Sequence, residues 1–346
     1  MGALIYPPKP RPGDRVAVVS PSAGLPALFP HVYELGLRRL REEFGLEPVE
    51  YPTTRAAGAS PRDRARDLTA AFADPDIRAV LATVGGDDLI TVTPHLDDDV
   101  LRANPKPYFG YSDNTNVLNH LYRLGVVGYH GGSVLVHLGR PGSPHPLTFA
   151  SLRAALFTSD WHELTPARQW GDRPNPWTEP DTLADEPEML PGEGWRWHGP
   201  RRAVRGPTWG GCLEILHWLM ATDRVPTVAE LTGSVLIMET SNEMPDAREV
   251  FRIVRNMGER GLLAASEAIV VGRPKAWDFD KPLSVPERRV WAEAQREAIL
   301  RAVASYQPDA VLVFDVDLGH TDPQLIIPYG GEMTVDAVER RIAVRY

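Results

Sequence analysis

Tyr108-Phe109-Gly110-Tyr111-Ser112-Asp113-Asn114-Thr115 reads as a short apolar strand that runs straight into a helix start. Junctions of this kind belong to chains that alternate strand and helix. The alternation continues on both sides. Upstream, Arg15-Val-Ala-Val-Val-Ser20 is a buried-strand run that ends in the loop sequence Pro-Ser-Ala-Gly. A helical period follows over residues 32–43, with Val32, Leu35, Leu37 and Leu40 apolar. Val49 and Tyr51 mark a second strand. Ser60-Pro61-Arg62-Asp63 has the form of a capped helix start with proline in the first helical position. Ile77 to Val84 is a third strand, ending in Gly85-Gly86-Asp87-Asp88. Downstream of Ser112 a helix extends to Arg123, and Val126 to Tyr129 is a fifth strand. This rhythm predicts a parallel sheet with helices on both faces. Function in such sheets collects in loops beyond the C-terminal ends of the strands.

Residues 158–208 break the rhythm. They hold eight prolines and five of the nine tryptophans: Trp161, Trp170, Trp177, Trp195 and Trp197. A surface linker explains the prolines. Linkers seldom expose so much aromatic area, so an ordered aromatic loop folded over something is the preferred reading. The second half is mixed α/β. Helices are expected over Cys212–Met220, Asp246–Gly258 and Pro286–Ser305, and strands over Ser234–Met238 and Ala268–Gly272. Short strands near 310–315, 324–328 and 341–345 close the chain. The expected division is an N-terminal domain over 1–157, a connecting and substrate loop over 158–208, and a C-terminal domain over 209–346.

Composition narrows the function. With 346 residues, 43% hydrophobic and 24% charged, the chain can bury a sizeable core and build two packed domains. A net charge of −9 argues against a partner that is a nucleic-acid polymer or an acidic membrane. The single cysteine, Cys212, rules out an internal disulfide and a cysteine-cluster metal site. No apolar run is long enough to span a bilayer, and prolines stand where a signal peptide needs an apolar helix. A soluble cytoplasmic protein is expected. Only four of the 37 basic residues are lysine.

Four places could carry chemistry. Ser112 on its sharp junction would project a hydroxyl at the sheet edge, with the N–H of Asp113 placed to hold an oxyanion. A plain helix cap explains the same residues, and Asn114 stands where the hydrolase elbow Gly-x-Ser-x-Gly has its second glycine. Gly85-Gly86 lets backbone N–H groups approach a ligand, although a tight turn needs the same pair. Glu239 emerges at the end of the strand Val235–Met238, and His320 lies in the turn Leu318-Gly319-His320-Thr321-Asp322-Pro323. Alone, each has an ordinary structural explanation. Together they supply a nucleophile, a base and a carboxylate to orient the base. Metal readings do worse: His130, His137 and His145 have no familiar spacing, and His162-Glu163 lacks a second histidine.

At this point the sequence resembles the serine peptidases that comprise the murein LD-carboxypeptidases and the microcin C self-immunity peptidases. The matching segments are Pro12–Ser22, Thr83–Asp88, Phe109–Asp113, Gly128–Gly132, Trp209–Leu213, Leu236–Glu239 and Gly319–Pro323, in order along the chain. By this resemblance Ser112 is the nucleophile, His320 the general base and Glu239 the carboxylate that orients it. Gly86 and Asp113 supply the oxyanion N–H groups. The implied fold is an N-terminal flavodoxin-like α/β domain and a C-terminal α/β domain with a small β-barrel-like sheet, the site lying between them. A homodimer without metal or organic cofactor is implied too.

Murein members usually carry Gly-Gly-Tyr-Gly where this chain has Gly85-Gly86-Asp87-Asp88, and the aspartate version is similar to the microcin branch. In that branch a loop aromatic stacks on a nucleobase-like group, an interaction worth roughly 1–3 kcal/mol. Gly85, Asp87, Trp170, Trp177, Trp195 and Trp197 are therefore the candidate substrate contacts. The expected substrate is a small peptidyl- or aminoacyl-nucleotide. The rivals are a muropeptide LD-carboxypeptidase and a binding protein without turnover.

Overall fold

The computed structural model describes residues 4–346; Met1–Ala3, the start of the proline-rich N-terminus, lie outside the described residues. The first sheet has the strand order 327–329, 128–130, 108–110, 77–82, 15–19, 47–50. Numbered along the chain, its five parallel strands run 2-1-3-4-5. This is the flavodoxin-like order, in which ligands sit where the winding reverses, between the first and third strands. The loops after Val19 and after Ala82 flank that point. The helices expected over 32–43 and from Ser60 both form. Ser60 caps Pro61–Ala73 by accepting from Asp63 N, and Gly45, at φ +66°, ends Pro30–Phe44.

The sixth strand, Ile327–Tyr329, is the surprise in this sheet. It pairs antiparallel with Gly128–His130, whereas the strands on either side of it in the chain lie in the second sheet. The C-terminal part of the chain therefore crosses back and completes the edge of the first sheet. Its residues are fully buried, so leaving them on the second sheet would have exposed the 128–130 edge.

The second sheet is mixed and has eight strands, in the order 161–164, 341–345, 332–336, 203–212, 234–239, 266–272, 311–316, 196–198. Strand Ala203–Cys212 serves both halves of it. Residues 203–207 pair antiparallel with 332–336, and 208–212 pair parallel with 235–239. The tryptophan-rich stretch is ordered, and its ends cap both edges of this sheet: Trp161–Leu164 on one side, Arg196–His198 on the other. Between them, Gln169–Trp170 pairs with Leu190–Pro191. None of the described helices is long and apolar enough to cross a membrane.

Candidate active site

Ser112 takes φ +60°, a conformation a non-glycine residue adopts only where the surroundings enforce it. Strand Tyr108–Gly110 stays extended through Tyr111, and Ser112 then opens a 3₁₀ turn that leads into helix Thr115–Arg123. Asn114 braces the turn. Its amide donates to Val84 O at 3.2 Å and Tyr111 O at 3.1 Å, and its Oδ1 accepts from Tyr108 Oη at 2.5 Å. The residue that replaces the elbow's second glycine thus ties the junction to the neighbouring strand end. Gly85 needs its missing side chain: a Cβ there would lie 2.9 Å from Ser112 Cβ and 3.4 Å from Asp113 N. The Gly-Gly loop, the serine and the Asp113 N–H are therefore in contact.

The Asp113 side chain faces inward. It accepts from Ser22 Oγ at 2.5 Å, Leu89 N at 2.9 Å and Asn116 Nδ2 at 2.9 Å. Burial raises its pKa, against the pull of those hydrogen bonds. Its carboxyl fastens the loops after the first and third strands to the helix. Its N–H lies in the first helical turn, where backbone donors lack helical partners. Asp88 is drawn away to Arg64 in a two-pronged ion pair at 2.8 and 2.6 Å, and Asp87 lines the cleft.

The second wall holds Glu239 and His320, 81 residues apart. Glu239 ends the buried strand Ser234–Glu239, and its Oε2 lies 2.7 Å from His320 Nδ1. An ionised carboxylate only accepts, so Nδ1 carries a proton, and in the neutral ring Nε2 is the acceptor. Burial pushes the Glu239 pKa up. The charge and hydrogen bond of His320 pull it down further, leaving it below the usual carboxylate range. Two glycines make room: a Cβ on Gly319 would lie 2.6 Å from Glu239 Oε2, and one on Gly272 would lie 2.8 Å from Glu239 Cβ. The Tyr111 ring packs 4.8 Å from the imidazole on the other side. Ser112 and His320 face one cleft of about 810 Å³. Among the described residues no hydrogen bond joins them, a separation common before substrate tightens the site.

Of the four tryptophan candidates, only Trp177 lines this cleft, its ring edge-on to Phe29 at 5.4 Å. The other three lie outside the cleft lining. Trp170 lies under the Arg273 guanidinium at 4.7 Å. Trp195 Nε1 donates to Asp317 Oδ2 at 3.0 Å, and Trp197 sits in the edge strand opposite Val313. Sequence reasoning missed Arg140, which lines the cleft and donates to Asp322 Oδ2 at 2.7 Å and to Glu186 Oε2 at 2.8 Å. It links the tryptophan-rich segment to the His320 turn, and Gly171 and Asp322 reinforce the link by exchanging backbone hydrogen bonds. No local motif marks such a link. Among the described residues, no group of three His, Cys, Asp or Glu side chains is arranged to hold a metal ion.

Known proteins share this chain's sequence pattern and fold. The pattern of the LD-carboxypeptidase N-terminal domain matches residues 16–131, and that of the LD-carboxypeptidase C-terminal domain matches residues 205–335. The chain is 25% identical over 286 residues to the microcin C7 self-immunity protein MccF of Escherichia coli, covering 82% of this chain and 78% of that one. Its fold matches an MccF-like protein from Streptococcus pneumoniae, solved in complex with AMP, with a TM-score of 0.84 at 24% identity. That match covers 96% of this chain and 99% of the other. The fold of MccF in complex with aspartyl sulfamoyl adenosine matches equally, with a TM-score of 0.84 at 22% identity over 99% and 98% of the two chains.

Proposed function

We propose, from the premise that this chain belongs to the LD-carboxypeptidase family, that it is a serine hydrolase cleaving the amide bond of a peptidyl- or aminoacyl-nucleotide. One observation carries the reading: His320 is held by Glu239 at 2.7 Å, facing the cleft into which the strained turn presents Ser112. In this mechanism Nε2 of His320 takes the Ser112 proton as Oγ attacks the carbonyl carbon. The oxyanion is held by the N–H groups of Gly86 and Asp113. Imidazolium then protonates the leaving nitrogen, and the acyl group stays on Ser112. Water, deprotonated by the same imidazole, releases the acid. Glu239 stays ionised and keeps the ring oriented.

The nucleotide part of the reading is supported by Trp177 in the cleft wall, where its ring is available to stack on a base. AMP and aspartyl sulfamoyl adenosine bound to relatives of this fold point the same way. The rival substrate, a muropeptide with a terminal D-amino acid, is favoured by the name of the matching family. A paired assay separates them. Turnover of an aminoacyl sulfamoyl-adenosine is expected, and turnover of an L,D-tetrapeptide alone would overturn the substrate. A fluorophosphonate probe tests the nucleophile, since equal labelling of wild type and Ser112→Ala would remove Ser112 from its role. The homodimer implied by the family is read by sedimentation.

A further inference from the structure

The charges of the cleft are unevenly neutralised. Its basic side chains are committed elsewhere: Arg140 to Asp322 and Glu186, Lys275 to the carbonyl of Asp172, and Arg173 to the ring of Trp277 at 5.4 Å. Glu214 is a buried acid of the same lining. It lines the cleft, is only 5% exposed, and among the described residues forms no ion pair. Its carboxylate is fixed rather than free: Oε1 accepts from Ser241 N at 2.8 Å and Ser241 Oγ at 2.6 Å, and Oε2 from Cys212 Sγ at 3.4 Å. Cys212 is the register partner of Glu239 across the parallel strands, so Glu214 begins the next turn beside the His320–Glu239 pair. Exposed Glu243 continues the same wall outward, again without an ion pair among the described residues.

A buried carboxylate without a cation is costly to keep unless something neutralises it. Two further groups in the cleft lining lack partners. Thr321 Oγ1 and His137 Nδ1 belong to side chains 3% and 6% exposed, and neither atom has a hydrogen-bond partner. Burial lowers the His137 pKa to about 3, so its ring is neutral and Nδ1 can accept. Hydroxyl, neutral imidazole and carboxylate are the oxygen and nitrogen acceptors that an ammonium or guanidinium group requires.

We propose that Glu214, extended by Glu243, forms a subsite for a positively charged nitrogen on the acyl residue of the substrate, next to the scissile carbonyl. The inference rests on the acyl-transfer reading of Ser112. The test is calorimetric titration of Ser112→Ala protein with sulfamoyl adenosines acylated by lysine, norleucine, hexanoate and glutamate. Lysine and norleucine differ in the side-chain ammonium, norleucine and hexanoate in the α-ammonium. The step that removes the bound ammonium should weaken affinity about thirtyfold, the cost of deleting one partner of a buried charge pair. Adding Glu214→Gln, which keeps an acceptor for Ser241, should erase that step while sparing the hexanoyl compound. Glu243→Gln should shrink it, and does so even if the first variant fails to fold. Equal affinities across the series, a step that persists in Glu214→Gln, or tightest binding of the glutamyl compound would overturn the subsite. Fluorophosphonate labelling of wild type keeps the two readings apart. Labelling without charge preference sinks the subsite alone, and charge preference without labelling sinks the acyl-transfer chemistry alone.

Discussion

The two walls of the cleft present their reactive groups in different ways. On the N-terminal wall, Ser112 is held by its own backbone, a positive φ locked by Asn114 and crowded by Gly85. Almost everything that holds it lies within one strand, one turn and the adjacent loop. On the C-terminal wall, Glu239 and His320 come from segments 81 residues apart and meet through a single 2.7 Å bond inside a space cleared by two glycines. The first wall is a local conformation. The second is a tertiary contact, anchored through Arg140 to the tryptophan-rich segment. Perturbing the first should change the nucleophile alone. Perturbing the second should change the tautomer, the pH response and the attachment of that segment together.

The largest effect should come from Ser112→Ala. A fall of about 10⁴-fold or more in amide turnover is expected with the fold intact, measured by single-turnover kinetics beside a melting curve. Comparable residual activity would mean that the local wall is not the chemical one. Glu239→Gln should cost about 10³- to 10⁴-fold, because an amide can hold the imidazole in the wrong tautomer. It should also change stability against acid. Folding lowers the Glu239 pKa, so its stabilisation is complete above the unfolded carboxylate value and is lost as pH falls through the folded one. Acid titration of wild type and variant should converge at low pH. A constant offset would break the assignment.

Asn114→Ala should cost about 1–3 kcal/mol, since Tyr108 Oη, Val84 O and Tyr111 O lose a buried partner. Denaturant unfolding measures it, and kcat should fall with it because the turn at Ser112 relaxes. The smallest effect lies in the N-terminal half, away from the cleft. Burial lowers the Lys9 pKa to about 7, while its ammonium bonds Tyr129 Oη and Ala155 O. Between that value and the ordinary lysine range the unfolded chain binds more protons, so stability should rise with pH over that window. Lys9→Met should flatten the rise in Tm.

Much of the first wall was legible because its determinants are consecutive. Alternating apolar strands, a proline after a capping serine and a serine after Phe109-Gly110-Tyr111 all act within a few residues. The helix Pro146–Phe157 was not anticipated, because its sequence is apolar on nearly every side and shows no helical period. The strand Ala203–Cys212 was missed because its glycines and proline read as loop. Its Gly210 and Gly211 take φ +135° and +117°, and a Cβ on Gly210 would lie 1.8 Å from Ile237 O. Close approach of two strands, which only the packed sheet reveals, selects those residues. Among the tryptophans, composition predicted an ordered segment but could not separate Trp177 in the cleft from three that lie outside its lining.

The sequence by itself determined the alternating first half, the turn at Ser112 and, through a series of matching segments, the family. These properties depend on neighbours in the chain, so short-range sterics and hydrogen bonding write them into local order. Tertiary structure decided that Glu239 reaches His320, that strand Ile327–Tyr329 crosses to the first sheet, that Trp177 alone of its group lines the cleft, and that Glu214 stands in that lining with no ion pair among the described residues. Those outcomes depend on which surfaces pack together and how much water they exclude. Desolvation and charge pairing act through space, and no stretch of sequence carries them alone.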